Sequence, residues 1–272
     1  MPSEYAHYRF GQDVLKKLPQ QERVVAMQGQ ELYELGLHGP DILFFYHPAT
    51  RNAVNDIAHA LHRASGMPFF SAACAKTQET VGRSQTEFAE DLSYLYGFVC
   101  HFVLDSLCHP FVYDEMAASG HTHTAIEVAF DRSLMVADGI DPLHHVRTAH
   151  LNNSYEDGEV MSRFFPAVSP VQAVKAITTF KVAGRGLTAP GIGKRAIVYG
   201  VLIASGHYPD QKGQVVTWEH DPAFDESNSQ LKALYDEGVP KAVELIVDFR
   251  AAVSEGRPLD PWFERTFGAK DI

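Results

Sequence analysis

The sequence is short of several things, and each shortage removes a class of explanation. Only three cysteines occur in 272 residues: Cys74, Cys100 and Cys108. Their odd number and spacing fit neither a disulfide framework nor a zinc ribbon. Positive charge is scarce too, 23 Lys and Arg against 34 Asp and Glu, for a net charge of −11. That argues against a general grip on nucleic acid through a broad basic surface, since such affinity comes from neutralising phosphates. Phosphate ester chemistry stays open, because bound cations reverse the local field whatever the global charge. No run approaches the roughly 18 apolar residues of a membrane-spanning helix. Strand-like alternation is nearly missing, residues 214–218 being the best candidate. There is no Gly-x-Ser-x-Gly elbow, no Walker loop and no His-Glu-x-x-His. The glycine-rich stretch 184–193 lacks the strand before and helix after that dinucleotide binding needs, and reads as a flexible loop. No charged-then-apolar leader precedes the first helical segment. With the odd cysteine count, that gives the expectation of a cytoplasmic, reducing location.

Histidine is what the chain has. Twelve of its 14 histidines fall in the first 150 residues, so the chemistry is expected there. The sharpest pattern is His101-xxx-Asp105-xxx-His109, followed by His123-xxx-Glu127. Residues four apart on a helix share one face, one turn above the next. At about 100° per residue the first trio spans roughly 80° of arc. Imidazole and carboxylate together suit zinc and related divalent ions. A buried Asp costs several kcal/mol unless paired or metal-bound, and Asp105 interrupts an otherwise apolar stripe. Other candidates are Asp41 in the Gly39-Pro40-Asp41 segment, His59 and His62 at i, i+3, and His7 near the amino terminus. Asp131 continues the stripe below Glu127 and is expected to orient His123 from behind. His121, out of register, reads as loop or as a supporting contact. Cys100 and Cys108 point about 100° away from the histidines and read as packing.

Apolar residues at helical intervals predict helices over 8–18, 21–35, 51–65, 84–109, 121–137, 155–165, 169–183 and 195–206. One or two more fall within 227–255, and Pro110 is expected to end the long apolar helix. Apolar and charged contents of 45% and 21% are those of an ordinary globule. The expectation is an all-α, single-domain multi-helix bundle over 1–272, with a metal-ligand region at 1–150 and a helical remainder at 151–272.

Taken together, His7, Asp41, His59 or His62, His101 with Asp105, His109, and His123 with Glu127 resemble the zinc-dependent phospholipase C family. Its superfamily also holds tri-zinc nucleases that cut single-stranded nucleic acid. The resemblance rests on about the first 130 residues and implies an α-helical bundle around two to three zinc ions. It implies that Asp41, His101, Asp105 and one of His59 or His62 hold the first ion, with the lean to His62. His109, His123 and Glu127 would hold the second, and His7 with a shared Asp105 would help hold a third. Secreted relatives bind that third ion through a terminal Trp. This chain begins Met1-Pro2, so the third site is expected to be weak, altered or absent.

The chemistry so implied is hydrolysis of a phosphodiester small molecule or a phospholipid by zinc-activated water, with Asp41 orienting or deprotonating the water. A nuclease or nucleotide-directed phosphodiesterase is the alternative; it wants a stacking aromatic near the metals, for which Tyr8, Phe10, Phe44, Phe45 and Tyr46 are candidates. A metal-binding protein without turnover is the third reading. No basic amphipathic helix suited to a membrane surface stands out.

Overall fold

The computed structural model describes residues 4–268, and among these the chain is predominantly helical, with no strand. In chain order the helices are α1 (Glu4–Lys17), α2 (Gln20–Gln28), α3 (Gln30–Gly36), α4 (Ala53–Arg63), α5 (Met67–Gln78) and α6 (Gln85–Ser119). They continue with α7 (His123–Ala137), α8 (Tyr155–Arg163), α9 (Pro170–Leu187), α10 (Ile192–Ala204), α11 (Tyr208–Gln211) and α12 (Asp225–Glu255). A 3-10 segment, Gly39–Phe45, links α3 to α4, and another at Pro261–Glu264 follows α12. The all-α bundle expected from the periodicity is the fold observed.

α6 is the axis. Ser84 caps its start by accepting from the Glu87 amide, and Gly120 ends it in the left-handed region. Its most apolar 18-residue window is long and hydrophobic enough to cross a bilayer, but 83% of that window is buried by neighbouring helices. α3 lies so close that a methyl added at Gly97 would run into the Tyr33 carbonyl, and one at Gly36 into the Tyr94 carbonyl. α1, α7 and α12 pack on other sides. The core contains many aromatic rings, with Phe70, Phe98, Phe102, Phe249, Phe263 and Phe267 fully enclosed.

The expected end of this helix at Pro110 is not observed: α6 runs on to Ser119. Proline lacks an N–H, so in a helix it leaves the carbonyl four residues back without its usual donor. That carbonyl belongs to Ser106, and Arg265 Nη2 donates to it at 3.3 Å. A residue far along the chain repairs the defect, which no local reading of the sequence can see.

Four other boundaries differ. Residues 21–35 divide at Gly29 into α2 and α3. α5, with Pro in its first turn, was not anticipated because its short, evenly apolar run shows little periodicity. The stretch 184–193 is mostly claimed by the end of α9 and the start of α10, leaving a short connection. Residues 214–218 pair with no strand; the Gln214 and Val216 carbonyls instead accept from Arg147 and Arg195.

Candidate metal centre

Five elements deliver the candidate ligands. α6 presents His101, Asp105 and His109 down one buried face. α7 begins at His123 because Thr122 caps it, accepting from the Ala125 amide; the register then brings Glu127 beneath His123. Asn52 and Asn55 form a capping box that starts α4, which ends beside the centre with His62 in its last turn. α1 contributes His7, and the 3-10 segment contributes Asp41. Gly39, at φ +47°, lets that segment pass against α6, since a side chain there would strike the His101 ring.

Two groups converge. Asp41, His62, His101 and Asp105 each place one ligand atom within 4.8 Å of the others, and so do His109, His123 and Glu127. In the first, His62 Nε2 stands 2.9 Å from Asp41 Oδ1 and 3.7 Å from Asp105 Oδ2. His101 Nε2 lies 3.2 Å from Asp105 Oδ2 and 3.9 Å from Asp41 Oδ2. In the second, Glu127 Oε1 is 2.9 Å from His123 Nε2 and 3.3 Å from His109 Nε2. Asp105 joins the groups: its Oδ1 meets His7 Nε2 at 3.1 Å, and its Oδ2 also lies 3.6 Å from His109 Nδ1.

Several of these facing atoms make no hydrogen bond despite their closeness. Both Asp41 oxygens, Asp105 Oδ2, His101 Nε2, His123 Nε2 and Glu127 Oε2 are buried without a hydrogen-bond partner. Unsatisfied buried polar atoms are costly and rare, and several facing one another are harder still to account for in a packed core. Atoms arranged to share a cation behave this way: they point at a common centre rather than at each other. Two outer nitrogens, by contrast, are occupied, while those of His7 and His101 are buried without a partner. His62 Nδ1 is 2.7 Å from the Ala58 carbonyl, and His109 Nδ1 is 2.7 Å from the Phe267 carbonyl. A carbonyl only accepts, so each Nδ1 carries the proton and each Nε2 turns its lone pair inward.

The field agrees with the geometry. Burial pushes the Asp105 carboxyl up, but His109 and His101 override it and hold it well below the usual range. Burial opposes charge on His109, yet Asp105 and Glu127 lift it to about 9. Glu127 is likewise held far down, its burial outweighed by His123 and His109. His62 is raised against its burial by Asp41. Without metal Asp105 and Glu127 hold their charge more firmly and His62 and His109 hold protons more readily, so binding a cation there must release protons.

A family model described as zinc dependent phospholipase C matches residues 6–172, well over half of the chain. The chain belongs to the zinc-dependent phospholipase C family. No curated protein and no solved structure matches it. The zinc-dependent character of the family and the two convergent groups agree on the kind of cofactor.

Not every residue singled out in the sequence arrives at the centre. His59 turns outward against Phe44, ring centroids 4.8 Å apart, leaving His62 as the histidine of α4 that faces Asp41. His121 packs on Phe224. Asp131 does not orient His123: its carboxylate accepts from the Ala6 and Tyr5 amides at 2.7 and 3.2 Å, capping α1, and pairs with Arg147 at 3.2 Å. Arg147 also meets Glu4 at 3.0 Å, and this buried trio fixes the helix that carries His7. Of the aromatic candidates, Phe44 and Phe45 line the groove above the centre, whereas Tyr8 stacks on His150. Sequence reasoning missed three supports. Tyr113 lines the groove beside His123, and the segment 263–268 docks along α6 through Ser106 and His109. Buried His38 meets His150, Nε2 to Nε2, at 2.8 Å. None carries a local signal, since each depends on a long-range contact.

Proposed function

We propose that the protein hydrolyses a phosphodiester whose alcohol portion is lipid-like, as a zinc-dependent phospholipase C. Asp41, His62, His101 and Asp105 would hold one ion, and His109, His123 and Glu127 a second. His7, sharing Asp105, would help hold a third. The observation that carries the reading is the convergence of buried, unpartnered nitrogen and oxygen atoms in two groups bridged by Asp105. Bound zinc would supply charge stabilisation at the phosphoryl oxygens and a water acidic enough to give hydroxide near neutral pH.

The chain's own residues do the rest. Asp41 would orient the attacking water or take its proton, being an acid held among the ligand groups with both oxygens otherwise unpartnered. His62 and His109 serve only as ligands, because their Nδ1 protons are committed to backbone carbonyls. The groove leading away from His62, His109 and His123 encloses about 1140 Å³, and Phe44, Phe45, Leu187, Ile197, Val198 and Leu202 make it apolar. Such walls exclude water from the reacting centre and accept hydrocarbon rather than a polyanion. They favour a lipid-like substrate over nucleic acid. The three cysteines are free and buried, which supports placing the protein in a reducing, cytoplasmic setting.

The test is hydrolysis by zinc-loaded protein of three substrates: a soluble chromogenic phosphodiester, phosphatidylcholine in vesicles, and single-stranded DNA. Cleavage of the first two with little of the third is expected. Cleavage of DNA alone would make it a nuclease. Full zinc occupancy with no turnover of any substrate would make it a metal-binding protein without catalysis.

A further inference from the structure

α10 is built unlike the other long helices. Its sequence is almost wholly apolar, yet Arg195 is the one residue within it that is buried. Ile192, Ile197, Val201 and Ile203 are between 62% and 77% exposed. A helix apolar around most of its circumference belongs inside a core or against hydrocarbon. This one is neither solvated by charge nor covered by the fold. It is nevertheless firmly rooted. The Arg195 guanidinium donates to the carbonyls of Ala189 and Val216, and Trp218 stacks on it at 4.1 Å. Trp218 in turn donates to the Pro190 carbonyl at 2.9 Å. The protruding helix is therefore held in place.

Its surroundings carry a net charge opposite in sign to that of the whole chain. Residues 170–214 contain six basic residues and a single acid, Asp210, in a chain of net charge −11. Arg185, Lys194 and Lys212 are exposed. Lys194 Nζ reaches the Arg185 and Thr188 carbonyls at the end of α9, and Lys212 lies over the Tyr208 ring, which meets Tyr199 of α10. Apolar side chains flanked by cations are the chemistry of a protein face that sits in the headgroup layer of an anionic bilayer. One side of α10 also lines the groove that descends to His62, His109 and His123. A molecule leaving the bilayer at α10 would enter the metal centre without crossing water.

We infer that α10, with Arg185 and Lys212 beside it, is a docking surface for an anionic lipid bilayer. It lies beyond residues 6–172, the part of the chain that the family model matches. For its purpose the placement rests on the lipid reading of the metal centre, but vesicle binding can be measured apart from turnover. The basic amphipathic element that the sequence did not display is an assembly: apolar residues from α10 and cations from the end of α9 and the turn after α11.

The experiment uses the full chain with chelator present, so that no lipid is cleaved, and measures co-sedimentation with two kinds of vesicle. One is phosphatidylcholine alone, the other phosphatidylcholine mixed with phosphatidylserine. Binding to the mixed vesicles is expected to exceed binding to the neutral ones by about tenfold. The I192D/I203D double variant, both positions lying outside the groove, and R185E/K212E are each expected to reduce mixed-vesicle binding about tenfold. Hydrolysis of the soluble phosphodiester by the zinc-loaded variants should stay at the wild-type level, which also shows them folded. Equal binding of wild type to both vesicles, or undiminished binding of both variants, overturns the proposal. So does a wild-type dimer that ignores vesicles and is split by I192D/I203D, since a second copy would then cover α10. Vesicle binding with no hydrolysis of any substrate would leave the docking surface standing and remove the proposed enzyme activity.

Discussion

At the scale of single residues, most of the centre is written in the helical period. The spacing His101, Asp105, His109 puts three donors on one face whatever the fold around them, and His123 with Glu127 repeats it. Alanine at His101 or at His123 is expected to lower zinc content and activity together, measured by metal analysis of the purified protein beside the phosphodiester assay. Undiminished zinc in both variants would rule out both groups. His59→Ala should keep full zinc, whereas His62→Ala should lose it, the two differing only in which side chain α4 turns toward Asp41. The sequence could not choose between them, because i and i+3 lie on one side of a helix and the decision is made by how α4 packs on the 3-10 segment that carries Asp41. His38 and His150 were equally hidden. Each is an ordinary lone histidine until the fold brings their Nε2 atoms to 2.8 Å.

That pair has a measurable pH signature. Burial, followed by the nearby charges of His145 and Lys181, depresses His150 to about 3, and burial with His150 as neighbour holds His38 well below its ordinary range. A histidine that is neutral when folded but free to protonate when unfolded stabilises the fold above its unfolded value of about 6.5. This contribution is lost as pH falls from there toward 3. Stability to urea should therefore decline on that acid limb, and His150→Phe should flatten the decline while lowering the plateau by about 1–3 kcal/mol, as His38 loses its partner.

At the scale of elements, the helices were largely legible and their joints were not. Periodicity marks amphipathic segments such as α1 and α4, but it is blind to repairs made from elsewhere. Pro110 reads as a stop until Arg265 is seen at the Ser106 carbonyl. Asp131 reads as part of a ligand stripe until the α1 amides are seen on its oxygens. Substituting Arg147 with Met would leave the buried Glu4 carboxylate without its cation and take one partner from Asp131, and a loss of about 3–5 kcal/mol in urea unfolding is expected. Retention of wild-type stability would show that α1 is anchored by other means. At Gly97, Ala is expected to force α3 away from α6 and cost about 1–3 kcal/mol, because the obstacle is the Tyr33 backbone and not a yielding side chain.

At the scale of the molecule, candidate ligands drawn from α1, α4, α6, α7 and the 3-10 segment would make an occupied centre a tie between elements distant in sequence. Zinc that binds the folded form and little of the unfolded one adds stability by mass action. At 100 times its Kd the gain is about 2.7 kcal/mol per site. Dialysis against chelator should lower the thermal midpoint by several degrees, and zinc should restore it; an unchanged midpoint would mean the sites are empty or weak. The all-α class was readable from periodicity alone. The apolar groove was not, since its walls come from α9, α10 and the end of the 3-10 segment with the loop after it, which only tertiary packing brings face to face.

The Phe267 carbonyl against His109 Nδ1 also sets an order of events. His109 and Glu127 emerge from the ribosome well over a hundred residues before the segment that fixes the histidine's tautomer. Until synthesis reaches that segment, either nitrogen of the ring is free to carry the proton. Maturation of this half of the candidate centre therefore waits until the segment around Phe267 has been made, and zinc supplied to the nascent chain before then would find His109, His123 and Glu127 but an unfinished grip.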